Sequence, residues 1–196
     1  MVAVKRVGVL ALQGDFEAHR KALDLAGGAE TVEVRAASDL ADLDGLVIPG
    51  GESSTMLKLL DIERLFEPIK SFGLRKPIFG TCAGAILLAT SVSHPVQASF
   101  ALMDISVERN GYGRQLDSRV TQIAPEAEFL RRAGGGNLEA VFIRAPIIRT
   151  VTGDVKVLAR YHDTPVLVEQ GRHMAATFHP ELTVDPRVHG LFLAKL

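Results

Sequence analysis

Cysteine is nearly missing from this chain: Cys82 stands alone among 196 residues. One thiol builds no intrachain disulfide, and an unpaired thiol is most at home in a reducing compartment, so a cytoplasmic setting is expected. Net charge is close to nil as well, with 22 basic against 23 acidic residues and a formal charge of -1. The two signs are mixed along the chain, which leaves no basic face for phosphates, and nucleic acid is not an expected partner. No apolar run approaches the roughly 20 residues needed to span a bilayer. Strand-like sequence begins almost at Met1, so neither a signal peptide nor a membrane anchor is expected. The chain carries no G-x-G-x-x-G and no P-loop lysine, which removes the usual nucleotide cradles. Its 6 histidines form no metal-ligand spacing with Cys82 or with one another, so neither zinc nor another cofactor is anticipated. Internal repeats and linkers are absent too. With 47% hydrophobic and 23% charged residues, the chain reads as one domain over residues 1–196.

What is present begins with Pro77-Ile78-Phe79-Gly80-Thr81-Cys82-Ala83-Gly84-Ala85. A short apolar run meets a cysteine bracketed by Gly80 and Gly84, and a helix-like stretch follows. This G-x-C-x-G is the thiol counterpart of the nucleophile elbow, a strained strand-to-helix turn that needs residues without bulk on either side. The turn is expected to hold the sulfur out and exposed. The positive end of a helix dipole favours thiolate, which makes Cys82 a candidate nucleophile. Taken alone, a single cysteine is as readily a small buried hydrophobe, so its partners must decide.

The chain before the elbow alternates strand and helix. Residues 7–12 form an apolar run suited to a strand buried on both faces, and Asp15 can cap a helix that carries Phe16, His19, Leu23 and Ala26 and stops at Gly27-Gly28. Residues 31–35 and 43–48 read as further strands. Residues 56–60 and 63–72 read as helices, the latter closed by Gly73. Such alternation marks an α/β sheet. Sites in open α/β sheets lie outside the carboxyl ends of strands, where Gly14, Gly50-Gly51 and Cys82 all fall. The turn Pro49-Gly50-Gly51-Glu52-Ser53-Ser54-Thr55 is either a simple capped turn or a source of bare backbone N–H groups for a developing negative charge.

Beyond Thr90 the pattern changes to successive strand-like runs with little helix between them, at residues 103–108, 141–143, 147–151, 155–161, 166–169 and 174–178. They are expected to extend the first sheet in mixed or antiparallel fashion. A closing helix over residues 185–196 has Asp185 as its cap and Pro186 in its first turn. Of the histidines, only His179 stands out. Phe178-His179-Pro180-Glu181 ends an apolar strand, and in an extended chain positions two apart point the same way, so Glu181 can orient His179 toward a thiol. Nucleophile, base and orienter are then Cys82, His179 and Glu181.

These motifs resemble those of the class I, triad-type glutamine amidotransferases. The likeness narrows to the family of glutaminase subunits of pyridoxal 5′-phosphate synthase through the residue 46–55 stretch, Arg109-Asn110-Gly111-Tyr112-Gly113-Arg114-Gln115, Phe142-Ile143-Arg144-Ala145-Pro146 and residues 178–185. It runs almost end to end. The pair Gly111-Tyr112 departs from the family's usual aliphatic-plus-aromatic pair. The resemblance implies a three-layer, flavodoxin-like fold with an open mixed, mostly parallel sheet flanked by helices. It implies hydrolysis of L-glutamine to L-glutamate and ammonia through a glutamyl thioester on Cys82. Substrate recognition would fall to Gly50, Gly51, Glu52, Arg109, Ile143 and Arg144, and the oxyanion hole to the backbone amide of Gly51 and, by the geometry of the elbow, that of Ala83. The implied partner is a synthase subunit that receives the ammonia within a large hetero-oligomer, and docking is expected to order the oxyanion hole. Two other readings use the same elbow: a redox-sensing or stress-response protein, which has no need of His179 and Glu181, and a catalytically silent binding module.

Overall fold

The structure is a computed structural model that describes residues 4–109 and 118–196. Residues 110–117, which include the motif positions Asn110 to Gln115 and so Gly111-Tyr112, lie outside the described residues.

Four strands carry the centre of the molecule: β1 (Lys5–Leu10), β3 (Gly45–Ile48), β4 (Ile78–Thr81) and β12 (His173–Ala176). The last three are buried along their whole length. They belong to a seven-stranded sheet ordered β10-β11-β12-β4-β3-β1-β2, with β2 spanning Ala29–Val34, β10 Lys156–Tyr161 and β11 Thr164–Gln170. Neighbours from β2 to β12 are parallel, while β11 and β10 add antiparallel pairs at one edge. The strand that leads into Cys82 is therefore the middle one of seven, with Gly80 paired to Ile48 on one side and to Ala175 on the other.

Side chains on these strands alternate between two cores, as the twofold repeat of a strand requires. Leu46, Ile48, Ile78 and Ala175 enter one core with Met56, Leu60, Ile69 and Leu87 from α2 (Ser53–Ile62), α3 (Phe66–Gly73) and α4 (Ala83–Leu88). Val47, Phe79, Met174 and Ala176 enter the other with Leu23, Phe129 and Phe192 from α1 (Phe16–Ala26), α5 (Ala127–Ala133) and α6 (Arg187–Leu193). Helices on both faces of one sheet make three layers, as expected. Each fully buried phenylalanine here, Phe79, Phe178 and Phe192 among them, contributes on the order of 1.5–3 kcal/mol by leaving water.

The first half follows the sequence closely. Asp15 caps α1 by accepting from the Ala18 amide at 2.9 Å, and Gly27 ends it with φ 74. The second half does not simply extend the sheet. β5 (Ala89–Ser93), β6 (Met103–Glu108) and β9 (Ile147–Val151) form a separate three-stranded sheet against the first core. β7 (Ser118–Ile123) and β8 (Leu138–Ile143) form a hairpin-like pair against the second. The helix α5 lies in a stretch to which the sequence pattern assigns no element. The closing helix is shorter than read, with Pro186 at its N-cap and Asp185 just outside, accepting from the Arg187 amide at 3.0 Å.

Candidate active site

Three turns meet at the carboxyl ends of the parallel strands. After β1, Gly14 takes φ 81, and a Cβ there would sit 1.9 Å from the Gly50 carbonyl oxygen. Only glycine permits that approach, which brings the β1 and β3 turns into contact at the point where strand order reverses. After β4 the chain turns sharply at Cys82, with φ 47 and ψ -103, a strained conformation for a residue with a side chain. The turn is over-determined by its surroundings: the Cys82 amide donates to the Ala176 carbonyl at 2.8 Å, and its carbonyl accepts from Ile86. The bracketing glycines have their reason in contact distance. A Cβ on Gly80 would lie 2.4 Å from the Gly84 backbone, and one on Gly84 would lie 2.1 Å from the Ile48 carbonyl. The sulfur is not exposed as the elbow suggested. Cys82 is 6% accessible and lies in the wall of a cleft of about 190 Å³.

His179 reaches this cleft from beyond β12, fixed by its backbone N–H, which donates to the Val141 carbonyl of β8 at 2.8 Å. Its ring lines the cleft beside Cys82, and its Nδ1 lies 2.7 Å from Glu181 Oε1. The alignment with Glu181 does not come from extended chain. β12 ends at Ala176, and Pro180–Leu182 form a 3₁₀ turn that folds the carboxylate back under the imidazole. Burial opposes a proton on His179, but the neighbouring Cys82 sulfur and the hydrogen bond and charge of Glu181 prevail, raising its pKa to about 10. Burial likewise opposes charge on Glu181, yet the neighbouring imidazoles hold its carboxyl below the ordinary range. The imidazolium of His179 is the group that sustains that charge, because burial keeps His19 from protonating. Gly50, expected on the substrate, is buried and is not part of the cleft lining; a Cβ there would strike His179 Cε1 at 2.4 Å and approach Cys82 Cβ at 3.2 Å.

The cleft's rim is polar. Glu52 caps α2, accepting from the Ser54 and Thr55 amides at 3.1 and 2.7 Å and from both hydroxyls. Those hydroxyl and amide donors lower its pKa to about 2. Arg109, at the end of β6, donates to Glu52 Oε1 at 2.8 Å. Sequence reasoning placed both on substrate; here they are also partners of each other. At the end of β8, the Ile143 carbonyl accepts the Cys82 thiol at 3.9 Å, and the exposed Arg144 follows with φ 44. Gly51, Glu52, Arg109, Ile143 and Arg144 all line the cleft beside Cys82 and His179. Gly51 has φ 142, and Ala83 opens α4 directly after Cys82.

Three neighbours of these residues carry no signal in the sequence pattern. Gln13 donates to the Glu52 carbonyl at 2.6 Å and packs under Gly51. Ser53 lines the cleft. His19, dismissed as unremarkable, is fully buried beside Glu181, with its Nε2 3.4 Å from Oε1. Its helical spacing with Phe16 and Leu23 marked only a core position.

A cysteine elbow on the middle strand of a three-layer α/β sheet, with a histidine in the same cleft and a carboxylate behind the imidazole, has the parts that nucleophile, base and orienter roles call for. The chain belongs to the SNO glutamine amidotransferase family, whose model matches residues 9–196. It is 60% identical over 193 residues to the pyridoxal 5′-phosphate synthase subunit PdxT of Solibacter usitatus (strain Ellin6076), covering 98% of this chain and all of that one. The subunit of the same name from Koribacter versatilis (strain Ellin345) is 53% identical over 188 residues, covering 96% of this chain and 94% of that one. A solved structure described as a glutamine amidotransferase superposes with a TM-score of 0.85 at 43% identity, covering 98% of each chain.

Proposed function

We propose that this chain hydrolyses L-glutamine to L-glutamate and ammonia, and that it passes the ammonia to a pyridoxal 5′-phosphate synthase subunit in a large hetero-oligomer. The observation that carries the reading is the line of Cys82 beside His179 in one cleft and Glu181 hydrogen-bonded to the imidazole behind it, with a rim that holds both signs of charge. A redox sensor has no use for that line, and family membership points the same way.

With its proton passed to His179, the Cys82 sulfur attacks the side-chain carboxamide carbon, and the carbonyl electron pair moves onto oxygen. The Gly51 and Ala83 amides are our candidates to hold that oxyanion. Collapse expels nitrogen, which takes its proton from His179 and leaves as ammonia, with the glutamyl group held as a thioester. His179, now neutral, draws a proton from water. The hydroxide adds to the thioester, the C–S bond breaks, and glutamate departs with the imidazolium restored. Glu181 stays ionised throughout and fixes the ring. Arg144 and Arg109 suit the substrate α-carboxylate, since a guanidinium fork binds two oxygens at once, and Glu52 suits its α-ammonium. A thiol nucleophile with no disulfide partner is suited to the cytoplasm.

Ammonia held in water protonates and loses its nucleophilicity, so delivery requires a docked acceptor. The test is bypass. In the synthase complex assembled with Cys82→Ala, glutamine should fail to support product and added ammonium salt should restore it. Failure of ammonium to restore product would remove the ammonia-donor role.

A further inference from the structure

Behind the triad, a second set of polar side chains runs into the core opposite the cleft. His19 on α1 is 0% accessible, as are Thr81 and His189 on α6. His19 Nε2 lies 3.0 Å from Thr81 Oγ1 and 3.4 Å from Glu181 Oε1, and its Nδ1 lies 3.0 Å from His189 Nε2. Phe79 packs edge-on against both imidazoles, so their ring planes are held by packing as well as by bonds. Among the described residues, Glu181 Oε2 and His189 Nδ1 are buried without a hydrogen-bond partner. The Glu181 carboxylate is thus gripped through one oxygen, by imidazoles on two sides.

The tautomer of His19 follows from its neighbours. If Nδ1 carried the proton, the bare lone pair of Nε2 would face a carboxylate oxygen at 3.4 Å, a repulsion between two acceptors in a dry setting. With the proton on Nε2, the N–H donates to Thr81 Oγ1 and lies alongside Glu181 Oε1, while Nδ1 accepts from the His189 Nε2–H. The ring stays neutral. Burial opposes its protonation, as does the charge of His179, against the pull of Glu181 and Asp15.

Resting on the triad reading above, we propose that His19, as the neutral Nε2–H tautomer, is a positioning residue for glutamine hydrolysis, tying the triad carboxylate Glu181 to Thr81, the residue immediately before the nucleophile. Cys82 and Glu181 arrive from different strands, and no covalent link between them is shorter than the chain from β4 to the 3₁₀ turn. His19 contacts one by way of Thr81 and the other directly. It therefore sets the spacing on which the bond between His179 and Glu181 depends. It touches no substrate. Its effect is exerted through the orientation of His179 in the step where that ring gives up or takes a proton.

The test compares His19→Leu, which keeps bulk and removes the donor, with His19→Gln, which returns an N–H. Glutaminase activity is measured in the assembled complex, with Cys82→Ala as the control for the triad reading itself. His19→Leu should lower kcat by about 10- to 100-fold, leave KM within about twofold, and shift the pH profile of kcat; His19→Gln should recover most of the loss. A fully active His19→Leu, or equal losses in both variants, would overturn the assignment even if Cys82→Ala is inert. Should His19→Leu not fold, the imidazole ¹⁵N spectrum of the wild-type chain decides. A singly protonated His19 with its proton on Nε2 supports the proposal, and an Nδ1–H tautomer or an imidazolium at neutral pH contradicts it.

Discussion

His179 Nδ1 and Glu181 Oε1 lie 2.7 Å apart although only Pro180 separates the two residues in sequence. The proline opens a 3₁₀ turn instead of continuing a strand, and the turn carries the carboxylate back under the ring. Glu181→Gln keeps the shape of that contact but removes the charge that favours imidazolium. Glutamate release should fall by roughly 10²- to 10⁴-fold with little change in KM. A steady-state assay in the assembled complex reads this directly, and a loss confined to KM would contradict it.

The buried histidines give stability a maximum in pH. His179 has its pKa raised from 6.5 to about 10, so its contribution is complete below 6.5 and is lost as pH rises through about 10. His173 and His189 move the other way: burial lowers them to about 4 and about 3, with the Arg172 and Lys195 cations adding to the effect on His173. Their contribution is present above 6.5 and is lost as pH falls through those values. Urea midpoints should decline on both sides of about 6.5. A midpoint rising steadily toward alkaline pH would refute the charged pair at His179.

Two glycines near the elbow should respond differently to one added methyl. On Gly84 the methyl meets the Ile48 carbonyl at 2.1 Å, a clash between backbones, and Gly84→Ala should cost about 1–3 kcal/mol in denaturant unfolding. On Gly50 it meets the His179 ring at 2.4 Å. Gly50→Ala should therefore lose activity by at least about tenfold while far-UV circular dichroism keeps the native signal.

Glu52 joins helix capping to the cleft. Glu52→Ala removes the cap and releases Arg109, and should cost about 0.5–2 kcal/mol of stability as well as raising KM for glutamine. Arg144→Ala has no cap to lose, so it should raise KM by about tenfold with an unchanged urea midpoint. Equal stability losses in the two variants would contradict this division.

How much of this was legible in the sequence depended on whether a feature was local. The elbow glycines, the Asp15 cap and the apolar runs of β1, β3 and β4 are short-range patterns whose physics is fixed by adjacent residues. The pairing of Cys82 with His179 could be anticipated from residue chemistry, yet the means of aligning Glu181 could not, because a 3₁₀ turn and an extended strand both place carboxylate near imidazole. Strands β5, β6 and β9 left the central sheet for reasons of packing, as Val92, Ile105 and Ile148 cover the first core, and alternation alone does not say which sheet a strand joins. His19 was hidden because helical spacing gives a buried polar residue the same signature as a buried apolar one. The bond between Arg109 and Glu52 joins residues 57 apart, a separation at which no pattern in the chain is informative.

The central claim is that Cys82 carries the glutamyl group. Glutamate release from glutamine, followed for wild type and Cys82→Ala with and without the synthase partner, tests it most directly. The account predicts release by the wild type, greatest in the assembled complex, and none above background for Cys82→Ala in either setting. Equal turnover by the two proteins would contradict it.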